Sequence, residues 1–161
     1  MSRVLTTYSG VSPEAEANLR WGISHRMWGL RKEPGNCRVD DRFAWHVIGA
    51  RAKGLRHGPR SQPDEWVTGT IDVFVFRVES PLRYGTDPLW PDEVAEREVN
   101  YPYRFSSELV ARAFKVTTRY DDPIPQAVSE GIRRAASRAE SVQTVSLAEF
   151  DVFRERIESW D

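Results

Sequence analysis

The chain has 161 residues and a mass of 18.5 kDa, the length of a single domain. Hydrophobic residues make up 40% and charged residues 29%, a globular rather than a disordered composition. A net charge of −1 excludes a uniformly basic binder, one cysteine excludes an internal disulfide and a Cys-based zinc cluster, and no apolar run approaches the roughly 20 residues of a membrane span.

Met1 to Leu5 shows no long apolar stretch and no small-residue cleavage site, so no secretory signal is expected. With the lone Cys37, this fits a reducing cytoplasm. Arg3 to Thr7 is expected to be a first strand. Ser12-Pro13-Glu14 opens a helix, with a Ser cap, Pro at the first helical position and acids in the first turn. That helix is expected to run from Pro13 to about Trp21 and stop near Gly22. Gly29 and Glu33 to Asn36 mark turns, and Arg42 to Ala50 has the apolar and aromatic content of a strand. Lys53 to Glu65, polar and rich in Gly and Pro, is expected to be a loop.

Glu65 to Ser80 carries the strongest strand signal, with Val67, Ile71, Val73, Phe74, Val75, Phe76 and Val78. Its two faces are both apolar in the middle, which suits a small closed barrel or a sheet covered by helices. Pro81 ends it, and Tyr84 to Val99 is expected to be a long irregular loop around Trp90. Tyr101 to Ser107 and Leu109 to Thr118 are expected to form two further strands. Ile124 to Glu140 has helical periodicity through Ile124, Ala127, Val128, Ile132, Ala135 and Ala136. Ser146 to Trp160 opens with a capping-box pattern and carries the stripe Leu147, Phe150, Phe153 and Ile157. Together these elements predict an α+β domain on a small barrel-like sheet.

The near-neutral total hides an asymmetry. Between Arg20 and Arg60 stand ten basic residues against three acidic ones, and all three histidines. From Tyr120 onward, nine acids face five basic residues. The pattern predicts a face turned toward a polyanion and a solvated tail. Arginine dominates the basic set, and its planar fork suits bidentate phosphate contact.

Several chemistries lack their motifs. There is no phosphate-binding glycine loop, dinucleotide fingerprint, nucleophile elbow or His-Glu-x-x-His zinc pattern. Asp40-Asp41 reads as a turn before a strand and Asp92-Glu93 as loop acids, rather than as Mg²⁺ ligands. Tryptophan is the unusual residue: Trp21, Trp28, Trp45, Trp66 and Trp90 fall in the first 90 residues, with Trp160 near the end. Such rings plug cores, and they also form the walls of pockets for flat ligands. An unstacked base is read by aromatic stacking plus hydrogen bonds to its edge, and Asn offers both a donor and an acceptor for that edge.

The ordered series Asn18-Leu19-Arg20-Trp21-Gly22, Trp28-Gly29-Leu30, Phe43-Ala44-Trp45-His46-Val47, Asp87-Pro88-Leu89-Trp90-Pro91-Asp92 and Tyr101-Pro102-Tyr103-Arg104-Phe105 resembles the EVE domain, from about Val4 to Thr118. The resemblance implies a PUA-like fold, a small bent β-barrel flanked by helices and related to YTH domains. Residues 1–120 would form it, and residues 121–161 would add two C-terminal helices packed on the same domain. It further implies a non-catalytic reader without cofactor or metal, binding a modified base in an aromatic pocket. A modified cytosine in DNA, such as 5-methylcytosine, is the leading ligand, with RNA as the other nucleic acid. A role in prokaryotic defence beside a separate nuclease follows from the same resemblance, and no membrane partner does.

On that resemblance Asn18 bonds the base edge, Trp28 stacks on the base and Gly29 turns its backbone toward it. Trp90 is the first choice for a second wall, with Trp45 and Tyr103 as alternatives and Trp21 in the same base-binding set. Arg20, Arg26, Arg31, Arg51, Lys53 and Arg104 would hold phosphates. For Arg104 an ion pair with an acid of the preceding loop is the competing role. Two other functions remain open: an RNA-processing adaptor, and an ASCH-like hydrolase of modified nucleosides, which would need Lys115, Thr117 and Glu108 to converge.

Overall fold

Val4 to Thr7 have almost no solvent exposure on either face, so the strand they belong to must lie inside a sheet. In the computed structural model this strand, β1 (Ser2–Ser9), runs parallel to β3 (Trp45–Lys53) on one side and antiparallel to β9 (Ser141–Val145) on the other. The structure describes residues 1–53, 69–117, 124–137 and 140–160 in full, and the backbone alone of residues 56–57 and 66–67. Most of the loop expected between Lys53 and Glu65 therefore lies outside the described residues. The short strands β4 (Arg56–His57) and β5 (Trp66–Val67) pair with each other there.

The main sheet is completed by β2 (Met27–Leu30), β6 (Thr70–Val78), β7 (Arg83–Tyr84) and β8 (Tyr103–Thr117). Its order is β2-β8-β6-β3-β1-β9, with β7 also pairing with β8. The sheet curls into a half-barrel, and four helices among the described residues complete a mixed α+β fold. Register shifts in β3 after Ala50 and in β6–β8 near Ile71 and Val75 supply the bends. Asp72 fixes two of them. Its carboxylate accepts from the Arg51 guanidinium and from the Lys115 backbone N–H, and both residues hold positive φ. The two strands expected over residues 101–118 are in fact one long bulged strand, β8.

The first helix, α1 (Pro13–His25), is capped by Ser12, whose Oγ accepts from the Ala15 N–H. It passes through Gly22 and ends one turn later, at Arg26 in the left-handed region. Gly22 is not a stop: a Cβ there would sit 2.8 Å from the Met27 carbonyl and 3.0 Å from the Trp28 ring. The missing side chain lets β2 fold back against the helix. The loop expected from Tyr84 to Val99 holds a short helix, α2 (Pro91–Glu96).

Helices α3 (Gln126–Ser137) and α4 (Leu147–Glu158) cover one face of the sheet. Phe150, Phe153 and Ile157 of α4 and Val128 and Ile132 of α3 join Val4, Val47, Val73 and Val75 in the largest core. Burial of each such side chain contributes about 1.5–3 kcal/mol. Between the two helices lies β9, a strand that the sequence reading did not foresee. Its outer edge is met by Asn36, whose side-chain amide donates to the Val142 carbonyl (2.7 Å) and accepts from the Val142 N–H (3.1 Å). Among the described residues no helix is long and apolar enough to cross a membrane.

Candidate functional site

The end of β1, helix α1, strand β2 and the segment around α2 enclose an open cleft of about 190 Å³. That is smaller than the roughly 300–1,000 Å³ of sites for drug-sized ligands, and suits one flat ring system. Asn18, Trp28, Gly29, Arg31, Trp90 and Tyr101 all line it.

The polar segment from Asp87 to Tyr101 is folded around one carboxylate. Glu93 is fully buried and accepts the backbone N–H groups of Leu89, Trp90, Asn100 and Tyr101. Arg104 lies 3.5 Å from it and also donates to the Tyr101 and Asp87 carbonyls. The guanidinium stands over the Trp90 ring at 5.3 Å. Five donors on one acid hold Trp90 and Tyr101 at the cleft. Gly29 completes the fit, because a Cβ there would meet the Trp90 ring at 2.6 Å and the Tyr101 Cβ at 2.8 Å.

A chain of hydrogen bonds then sets the chemistry of the cleft. The Tyr101 hydroxyl donates to Asp92 at 2.6 Å. Burial, and then that bond, push the hydroxyl pKa up to about 12, so it stays protonated. Its one proton is committed, so toward Asn18 its oxygen can only accept. The Asn18 group facing it at 3.3 Å is therefore the amide nitrogen. This leaves Asn18 Oδ1 buried with no protein donor, in a residue only 8% exposed. A buried acceptor without a donor costs about 1–3 kcal/mol. The wall of the cleft thus contains an acceptor that no protein group satisfies.

Beneath the cleft, His46 is wholly buried, 5.8 Å from Trp28, with Nε2 bonded to Thr7 Oγ1 at 2.8 Å. Burial pushes its pKa down to about 3, so the ring is neutral behind Thr7 and Trp28, which line the cleft.

The remaining expected site residues are dispersed. Trp21 stacks on His25 at 4.0 Å and touches Trp90 at 5.1 Å without lining the cleft. Trp45 is no wall: it packs on Phe150 at 4.8 Å, against α4. Tyr103 meets Tyr84 edge to face, and the neighbouring Tyr101 takes the cleft position instead. Arg104 does not reach a ligand, since it is buried on Glu93 and two carbonyls. Arg51 is held by Glu16 and Asp72, which tie α1 to the sheet. Arg20, Arg26 and Lys53 are exposed, and Arg26 lies 3.6 Å from Glu108. Arg31 alone of this basic set lines the cleft, with its guanidinium over the Tyr101 ring at 5.3 Å. Sequence reasoning gave no pocket role to Tyr101, Asp92 or Glu93, although Asp92 and Tyr101 stand in the quoted motifs and Glu93 is the loop acid that the competing role of Arg104 called for.

Lys115, Thr117 and Glu108 do not converge. Seven residues of one strand separate Glu108 from Lys115, on the order of 20 Å at the usual rise. Cys37 is buried, and burial pushes its thiol pKa up, away from reactivity. Among the described residues no group of three or more His, Cys, Asp or Glu side chains is placed to hold a metal. No protein-family model matches the chain, and no curated protein matches it significantly.

Proposed function

We propose that this protein is a non-catalytic reader of a modified base in nucleic acid, built as a PUA-like domain of the EVE type. The observation that carries the reading is the unpaired Asn18 Oδ1 in the wall of an aromatic cleft of single-base size. A flipped or single-stranded base stacks on Trp28, the half-buried ring of the cleft, and donates an exocyclic N–H to Asn18. Trp90, almost fully buried, supplies the closing edge rather than a free face. Arg31, with the exposed Arg20 of α1 and Arg26 just after it, takes the phosphates, so affinity falls as salt rises. A modified cytosine in DNA, read in prokaryotic defence beside a separate nuclease, is the form of this function that the sequence resemblance favours.

The test is fluorescence-polarisation binding to oligonucleotides of one sequence carrying cytosine, 5-methylcytosine, 5-hydroxymethylcytosine or N6-methyladenine, in DNA and in RNA. The expected result is a preference of about tenfold or more, roughly 1.4 kcal/mol, for one modified base. Trp28→Ala should abolish that preference, because one stacked base is worth about 1–3 kcal/mol. Binding that is equal for all oligonucleotides and indifferent to Trp28→Ala would overturn the reading and favour an RNA adaptor.

A further inference from the structure

Among the described residues the cleft has two charged lining residues, Arg31 and Glu140. Glu140 comes from the C-terminal segment, outside the stretch that carries the resemblance. Its place is set by the sheet. β9 pairs with β1 in the register Leu5↔Val142 and Thr6↔Ser141. Continuing that register by one residue puts Glu140 opposite Thr7. Side chains alternate across a strand, so Glu140 shares a face with Val142, Leu5 and Thr7. That is the face on which Thr7 meets His46 and on which the cleft opens. Glu140 is half-buried, and among the described residues no cation lies within ion-pair distance of it. Arg31, the other charge, is turned onto Tyr101.

We infer that Glu140 is a specificity-determining residue of this cleft, selecting bases that present an amino edge over those that present a carbonyl. The inference rests on the base-reading function above and deepens it. Asn18 and Glu140 line one small cavity, and Asn18 Oδ1 and the Glu140 carboxylate are both acceptors without a protein donor among the described residues. A carboxylate accepts from an exocyclic amine such as cytosine N4. It meets a carbonyl at the same position with repulsion and with no proton to share. Its negative charge also keeps phosphate away from this side, leaving the backbone of the nucleic acid to Arg31.

The discriminating pair is 5-methylcytosine and thymine in one DNA strand, which share the methyl group and exchange the amine for a carbonyl. The wild type should prefer 5-methylcytosine by about tenfold or more. Glu140→Gln should cut that preference to about twofold, chiefly by improving thymine binding, since an amide can turn its NH₂ toward a carbonyl. Glu140→Ala should also weaken the preference without the gain for thymine, and thermal melts of both variants confirm the fold. A full preference retained in both variants overturns the inference while leaving the reader intact. A wild type whose binding ignores both the base and Trp28→Ala overturns the reader, and the inference with it.

Discussion

Trp45 and Trp90 are both large rings beside arginines, yet the two sides of the sheet hold them by different physics. Trp45 lies in an apolar layer against Phe150, with Arg77 and Arg154 each 5.9 Å above its ring. Many small contacts hold it, and none is indispensable. Trp90 sits in a segment whose backbone N–H groups converge on one buried carboxylate. There a few directional bonds set the geometry, and each is costly to lose. The α3–α4 side gives stability through area, and the cleft side gives shape through hydrogen bonds.

The sharpest way to break this contrast is a pair of variants. Glu93→Ala strands a buried arginine and four backbone donors, so it should cost about 3–5 kcal/mol. Phe150→Ala should cost a similar 3–5 kcal/mol through cavity formation. The two should part in function. Denaturant titrations would show comparable losses, whereas the folded fraction of Phe150→Ala should keep oligonucleotide affinity and that of Glu93→Ala should lose it. Equal loss of affinity in both would collapse the distinction.

A smaller effect is expected from Gly29→Ala. The added methyl pushes against Trp90 and Tyr101, and forced overpacking costs about 1–3 kcal/mol. Chemical denaturation reads the cost, and fluorescence polarisation should show weaker binding. Unchanged stability and affinity would mean that Trp90 has room to move, contrary to the rigid cleft described above.

Acid gives a further way to probe the cleft side. His46 is neutral in the fold down to about pH 3, whereas an unfolded histidine takes a proton near pH 6.5. The unfolded state therefore binds more protons between those values, and stability falls as the pH drops through that window. The slope approaches about 1.4 kcal/mol per pH unit from this one group. His46→Gln should flatten the fall between pH 6.5 and 5 in denaturant titrations. An unaltered slope would mean that the ring is not what makes the cleft side acid-sensitive.

The elements carried by apolar pattern were legible in the sequence. The doubly buried strand β6, the capped start of α1 and the stripe of α4 all follow from residue spacing. Strand β9 was not legible, because Ser141 to Val145 is short and lies between two stronger helical patterns. The stop at Gly22 was misread because a glycine demanded by tertiary contact looks like a glycine that ends a helix. Asn18, Trp28, Gly29 and Trp90 do meet in one cleft. Trp90 was ranked above Trp45 on the resemblance alone, since local sequence does not say which side of the sheet Trp45 faces. The role of Glu93 was hidden because four of its five partners are backbone groups, which every residue carries.

Asn36 has a consequence of another kind. A curled, open sheet has a last strand, and a bare last strand invites a second molecule to add its own. At β9 the outward N–H and C=O of Val142 are both taken by one asparagine side chain, as a neighbouring strand would take them. Two heavy atoms thus stand in for a strand and close the ladder at that point. At that point the edge of the half-barrel offers a second chain no free backbone group to pair with.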